Sequence, residues 1–231
     1  MKILAVDSSA KACSAAIIQD NKILGSFFIN TALTHSQTLV PMIDAVLKNT
    51  NTDLESIDCF AVSAGPGSFT GVRIGVSAIK GIAMPLKKPC VSVSTLEAMA
   101  YNVMDRECIV CSVMDARCKQ VYNALFRVSG GTKTRICDDR ALSIEALGDE
   151  LKDYKEDIIL LGDGAELCYN SYKELNINIS LAIESQRYQN ATGVALASNY
   201  KPQISAVELM PTYLRLPQAE RELKKKSEGK V

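Results

Sequence analysis

Apolar positions along the chain fall into short runs of strand type, interrupted by two longer stretches of helical period. Ile3-Leu4-Ala5-Val6 is apolar throughout and stops at Asp7-Ser8-Ser9. Cys13 to Ile18 and Lys22 to Ile29 read as the next two strands, with Asp20-Asn21 as the hairpin turn between them. Helical spacing then runs from about Ser36 to Lys48, with Thr34 placed as N-cap. The apolar run Cys59 to Ser63 predicts another strand. Val72, Ile74, Val76, Ile79, Ile82 and Ala83 predict a helix from about Thr70 to Met84. Pro85 and Pro89 close this part before the strand Cys90-Val91-Ser92-Val93.

The second half repeats the opening order with different residues. Cys108 to Met114 is an apolar strand ending in Asp115-Ala116-Arg117. Gln120 to Val128 and Lys133 to Cys137 follow as strands about a Gly130-Gly131 turn. A helix from about Ser143 to Leu151, a strand Ile158 to Leu161, a turn at Gly162-Asp163-Gly164 and a helix Val194 to Tyr200 complete it. Two halves that each begin strand-Asp, hairpin, helix suggest a duplicated α/β unit with a cleft between lobes. The boundaries this predicts are 1–101 for the first lobe, 102–214 for the second and 215–231 for a charged tail, with the helix near 192–200 packing back on the first lobe.

Both helices of the first half carry more apolar surface than one sheet contact needs. At about 100° per residue, Val72, Val76, Ile79 and Ala83 form one stripe, and Ile74, Ala78 and Ile82 form a second, nearly opposite. Leu39, Val40, Met42, Ile43, Val46 and Leu47 also span a wide arc. Two stripes imply a second apolar neighbour, which is either another helix of this chain or a partner protein.

The segment from Ser63 to Gly75, SAGPGSFTGVRIG, joins the fourth strand to its helix. Its glycines allow the backbone to approach another surface closely, and the helix N-terminus offers unpaired N–H groups. Ser68 or Thr70 can serve as the N-cap. Asp7-Ser8-Ser9, at the end of a buried strand, either cradles a phosphate or satisfies local backbone groups. Together Asp7, Ser8, Ser9, Gly65, Gly67, Ser68 and Gly71 are the candidate nucleotide or phosphate contacts.

Composition narrows the field. Of 231 residues, 47% are apolar and 23% charged, the balance of an ordinary globular protein. Lys+Arg and Asp+Glu stand at 26 each, which excludes an overall basic field for nucleic acid. The run from Arg215 to Val231 is locally basic. The chain opens on a strand rather than a leader, and no apolar run reaches membrane length; both point to the cytoplasm. Eight cysteines, mostly within apolar segments, read as reduced and buried. Cys108-Ile-Val-Cys111 has a zinc spacing, but on a strand its ends face opposite ways. GxSxG, GxxxxGK[ST] and a complete GxGxxG are absent. His35 is the one histidine, so mechanisms needing two fail, and no metal site is expected.

Four segments, ILAVDSS, SAGPGSFTGVRIG, MDARCKQVY (Met114 to Tyr122) and PTYLR (Pro211 to Arg215), resemble the bacterial TsaB (YeaZ) family. The resemblance spans almost the whole chain. It implies the two-lobed α/β fold of the actin, sugar-kinase and Hsp70 superfamily, built of duplicated RNase H-like units. It also implies a subunit of the machinery that places threonylcarbamoyl on N6 of adenosine 37 in ANN-decoding tRNAs. In that family the protein pairs with the catalytic subunit TsaD, of which it is a degenerate paralogue, and the ATPase TsaE joins them. Without TsaD it forms a homodimer.

The catalytic relatives hold a metal with HxxxH on the first long helix, two imidazoles one turn apart. Here the segment is His35-Ser36-Gln37-Thr38-Leu39, so the second ligand position is leucine. The resemblance thus implies a scaffold that binds no cofactor alone, with ATP or ADP and a metal on its partners. It assigns the partner interface to His35, Leu39, Met42, Ile43, Val46, Arg73, Ile74, Ala78 and Ile82. The alternative is an active ATP-dependent phosphotransferase of the same superfamily, using Asp7, Ser8, Ser9 and the Gly65–Gly71 turn. A metallopeptidase-like activity lacks its second histidine.

Overall fold

A five-stranded and a six-stranded sheet, alike in the order of five strands, organise the described residues. The computed structural model describes residues 1–31 and 33–215, so the basic run after Arg215 lies outside the described residues. The first sheet is built from β1 (Lys2–Asp7), β2 (Cys13–Gln19), β3 (Lys22–Ile29), β4 (Cys59–Gly65) and β5 (Cys90–Ser94), in the order β3-β2-β1-β4-β5. The hairpin strands β1, β2 and β3 are antiparallel, and β4 and β5 add in parallel through helical crossovers. α1 (His35–Asn49) and α2 (Phe69–Leu86) are those crossovers.

In the second half, β6 (Cys108–Asp115), β7 (Gln120–Ser129), β8 (Thr132–Arg135), β10 (Ile158–Leu161) and β11 (Ile179–Leu181) order as β11-β10-β6-β7-β8, and β9 (Arg140–Ser143) also pairs with β7. α4 (Ile144–Leu151) and α5 (Ala165–Tyr172) cover this sheet as α1 and α2 cover the first. α3 (Thr95–Ala100) and α7 (Ala191–Ser198) lie against each other and against the inner faces of the sheets; the short α6 (Glu184–Arg187) precedes α7.

Alternation along each strand decides which layer it feeds. Leu4, Val6, Phe60 and Val62 point to α1 and α2, while Ile3, Ala5, Cys59 and Ala61 point to α7. α7 follows the whole second lobe in sequence yet covers the first sheet. It can lie close because that side is lined by Ala5, Ala16 and Ala61 and by its own Ala191, Ala195 and Ala197.

Several local expectations need correction. α2 starts one residue early because Ser68 is the cap, its Oγ accepting from the Gly71 N–H at 3.3 Å. Thr34 precedes α1, but its side chain makes no cap bond. Pro85 does not close α2; the helix runs through it to Leu86 and stops at Lys87, whose φ of 52° is left-handed. The strand expected over 133–137 ends at Arg135. α3, α5, β9 and β11 join the elements read from the pattern.

An ionic cluster spans the lobes. Glu97 of α3, 6% exposed, accepts from Lys133 at 2.9 Å, Arg135 at 3.1 Å and Lys201 at 2.7 Å, and Arg135 also bonds Asp139 at 2.7 Å. Lys133 lies 4.9 Å from the Phe126 ring centre and 5.2 Å from that of Tyr101. β8, α3 and the turn after α7 are thereby joined at one carboxylate.

The cysteines follow burial. Six are buried, Cys137 is half-buried and Cys118 is exposed. Cys108 faces α3 and Cys111 faces α4 and α5, so one ion cannot reach both. Burial pushes Cys59 up to about 12 and Cys90 and Cys168 up to about 11. Native protein with Ellman's reagent at pH 8 should therefore show one fast thiol, lost in Cys118→Ser, and eight after denaturation. A fast thiol surviving in Cys118→Ser would contradict the packing described.

Candidate functional site at the glycine turn and the outer face of the second helix

The end of β1 and the glycine turn meet in a self-bonded knot. Asp7 is buried, and its carboxylate accepts from the Ser9 N–H at 2.9 Å, the Ser9 Oγ at 2.7 Å and the Ser63 Oγ. Burial raises its pKa, against the lowering by these donors. Ser8 Oγ donates to the Gly71 carbonyl at 2.8 Å, and the Ser68 N–H donates to the Ser9 carbonyl at 2.7 Å.

The glycines are there for this approach. A Cβ on Gly71 would sit 2.1 Å from the Ser8 carbonyl oxygen, one on Gly67 2.4 Å from that of Ser9, and one on Gly65 2.3 Å from that of Thr212. The structure therefore brings Asp7, Ser8, Ser9, Gly65, Gly67, Ser68 and Gly71 together, as the pattern suggested. At Gly65, Gly67 and Gly71 the close approach is to the chain's own backbone.

A cleft of about 400 Å³ between the lobes opens beside the knot. Ser9, Gly67 and Ser68 line it; Asp7, Ser8, Gly65 and Gly71 do not. Lys11, Asp115, Arg117 and Asp163 face it as well, a mixed set of charges. Arg117, Cys118 and Lys119, at the tip of the β6–β7 hairpin, have φ of 65°, 54° and 57°, three successive non-glycine residues in the left-handed region. Asp115 ends β6 as Asp7 ends β1.

The first helix shows why a metal does not fit. His35 Nε2 lies 2.6 Å from the Ala10 carbonyl, and its Nδ1 is buried without a partner. One turn on, at the position of the second imidazole, Leu39 is 1% exposed within the core. His35 holds the start of α1 to the loop after β1.

The interface residues divide. Leu39, Met42, Ile43 and Val46 are core, packed on Leu4, Ala15 and Ile17. Their placement on a partner surface is corrected: α1 turns its apolar arc inward, leaving Val40 as its large exposed apolar side chain. On α2 the first stripe (Val72, Val76, Ile79, Ala83) is buried, whereas Ile74, Ala78 and Ile82 are half-exposed beside Ser77 and Gly81. Arg73 is exposed but engaged. Its Nε donates to Tyr213 Oη at 2.7 Å, and Tyr213 stacks on Phe69 with ring centres 4.6 Å apart. Tyr213 belongs to a strap that runs beside α2, held where Lys80 Nζ donates to the Val207 and Leu209 carbonyls at 3.0 and 3.1 Å. The Thr212 N–H donates to the Ala64 carbonyl at 2.7 Å, and Arg215 reaches the Ala116 carbonyl at 2.8 Å across the lobes.

This arrangement can be set beside known proteins. The family model described as TsaD, tRNA N6-adenosine threonylcarbamoyltransferase, matches residues 23–222. The chain is 30% identical to the tRNA threonylcarbamoyladenosine biosynthesis protein TsaB of Haemophilus influenzae, over 93% of this chain and 94% of that one. It belongs to the TsaB family. The TsaB of Bacillus subtilis is 27% identical, with 95% of this chain and 96% of that one covered. The structure of YeaZ from Pseudomonas aeruginosa superimposes with a TM-score of 0.79 at 25% identity, covering 92% of this chain and 99% of that one. The TsaB-family chain has the two-lobed α/β fold that the resemblance implied. Among the described residues no helix is long and apolar enough to cross a membrane.

Proposed function

We propose that this chain is a non-catalytic subunit of the complex that forms N6-threonylcarbamoyladenosine at position 37 of ANN-decoding tRNAs. It pairs with the catalytic subunit TsaD through α2, the ATPase TsaE joins the pair, and ATP or ADP and the metal are held by those partners. The observation that carries this reading is Leu39, an apolar core residue standing where a second imidazole would be needed. A site with one histidine, itself bonded to a carbonyl, cannot close around a metal.

The α2 face supplies the means of association. Ile74, Ala78 and Ile82 form an apolar seam whose opposite side is anchored in the core, and Ala78 and Gly81 let another helix come close. The same face lets two copies pair when TsaD is absent. A carboxylate forced unpaired into such a seam costs several kcal/mol. Ile82→Glu and Ala78→Glu should therefore weaken association with TsaD and with a second copy by about 100-fold or more. Circular dichroism should stay unchanged, because both positions are half-exposed at the rim of the core. Size-exclusion mobility reads the first outcome. A folded variant that still pairs moves the interface elsewhere, and an unfolded one returns the seam to the core.

Activity is tested in the same preparation. The purified chain alone, with or without zinc or iron, should form no threonylcarbamoyl-tRNA, and adding the partners should restore the reaction. Turnover by the single chain would refute the proposal. A contact between tRNA and the basic run is a further part of it. Deleting residues 222–231 should weaken tRNA binding by the complex and flatten its salt dependence. Unchanged binding and salt slope would remove the tail from that role. The competing phosphotransferase reading is tested by nucleotide titration of the isolated chain, where micromolar ATP binding and turnover would favour it.

A further inference from the structure

The cleft between the lobes, about 400 Å³, lies at the small end of ligand sites, which run from about 300 to 1,000 Å³. Two carboxylates stand side by side on its second-lobe wall. β10 runs parallel to β6, and the Gly164 N–H donates to the Val113 carbonyl at 3.3 Å. A Cβ on Gly164 would meet the Asp115 nitrogen at 3.0 Å, which sets Asp163 beside Asp115. Asp163 Oδ1 accepts from the Gln189 amide at 2.9 Å, and Asp115 Oδ1 accepts from the Arg117 N–H at 2.7 Å. Lys11 lines the first-lobe side, and the Arg117 guanidinium lies 3.5 Å from Asp115.

One polar group in the cleft wall lacks a partner. Tyr122 is 7% exposed and lines the cleft, yet its hydroxyl makes no hydrogen bond among the described residues. A tyrosine buried this far ordinarily has its hydroxyl bonded, so the missing partner points to a group supplied from the cleft. Two serines on the first-lobe side keep spare capacity. Ser9 Oγ donates to Asp7 and retains its lone pairs, while Ser68 Oγ accepts from the Gly71 N–H and retains its proton.

A ligand of one sign does not suit this lining. A polyanion would face Asp115 and Asp163, and a metal ion would face Lys11 and Arg117. Among the described residues no three His, Cys, Asp or Glu side chains are grouped to hold a metal.

We propose that the cleft binds a free α-amino acid with a small hydroxylated side chain, of the serine or threonine type. Its ammonium lies between Asp115 and Asp163, donating charge-assisted bonds to their oxygens. Its carboxylate accepts from the Tyr122 hydroxyl and from Lys11, so the ligand bridges the lobes. Its side-chain hydroxyl donates to Ser9 Oγ and accepts from Ser68 Oγ. A zwitterion answers two cations and two anions and leaves neither pair uncompensated.

Calorimetric titration of the full chain tests this with L-serine, L-threonine and L-alanine as probes. Serine or threonine should bind with a sub-millimolar dissociation constant, and alanine at least tenfold more weakly. N-acetyl-L-threonine, which lacks the ammonium, and L-threoninamide, which lacks the carboxylate, should give no measurable heat. Tyr122→Phe removes one hydroxyl and Asp163→Asn one charge, and each should weaken binding at least tenfold with unchanged circular dichroism. Lys11→Ala, at an exposed position, should do the same and covers the case in which the buried tyrosine variant fails to fold. No heat from any probe up to about 10 mM, binding indifferent to all three variants, or equal binding of either blocked derivative would each overturn the proposal. So would ATP binding that the same variants abolish, which would give the cleft to a nucleotide. Binding to the isolated chain needs no partner, so its failure leaves the α2 and activity tests where they stand, and their failure leaves it untouched.

Discussion

Glu97→Gln should lower unfolding free energy by about 3–5 kcal/mol, because it leaves buried cations without their counter-charge. Lys133 has nowhere else to turn: its side chain is 8% exposed, between Phe126 and Tyr101. Burial alone would raise the Glu97 pKa. The bonds from Lys201 and Lys133 more than reverse this and hold it at about 2. A carboxylate with a depressed folded pKa stabilises above its unfolded value of about 4.3, and that stability is lost as pH falls toward the folded value. The wild type should therefore lose about 3 kcal/mol between about pH 5 and pH 2 that the Gln variant has already lost. Urea midpoints at pH 7 and pH 3 check both statements. Equal acid sensitivity in the two proteins would remove Glu97 from the account.

The second large effect sets two glycines of one helix against each other. Gly71→Ala forces a methyl to within 2.1 Å of the Ser8 carbonyl oxygen, in a loop already fixed by three hydrogen bonds. Neither backbone can retreat, and a loss of about 3 kcal/mol is expected. Gly81→Ala, ten residues on, meets nothing within 4 Å and should gain about 0.5–1 kcal/mol from the reduced freedom of the unfolded chain. Opposite shifts in denaturation midpoint are the required result. Similar losses at both positions would mean that helix propensity, and not the knot, governs this segment.

How much of this was legible depends on whether a signal is local. The duplicated order, the Asp20-Asn21 and Gly130-Gly131 turns and the presence of α2 follow from period and turn chemistry, which neighbouring residues carry by themselves. α3 is six residues long, too short for a period, although Ser94 and Glu97 have the capping-box spacing that could have marked it. α5 follows Gly164, which offers no side-chain cap, so it gives no start signal. The two stripes of α2 were visible on a wheel, but only packing shows that Val72 and Val76 face inward. The same wheel misled for α1, whose wide arc is filled by one sheet and one neighbouring helix. The glycine turn was legible as a close approach, but not that the surface approached is the chain's own Ser8 and Ser9. The Glu97 cluster was out of reach, because residues 97, 133, 135 and 201 share no pattern until the lobes meet.

The position of α7 also sets a schedule for synthesis. The strands of the first sheet are all present once Ser94 has emerged, but the helix that covers Ile3, Ala5, Ile18, Cys59 and Val91 begins only at Ala191. At roughly 5–20 residues per second, the ribosome takes about 5–20 s to make the intervening stretch. Throughout that interval one face of a complete sheet stays apolar and bare. The nascent first lobe must wait for the end of its own chain, which makes it a natural client for a chaperone.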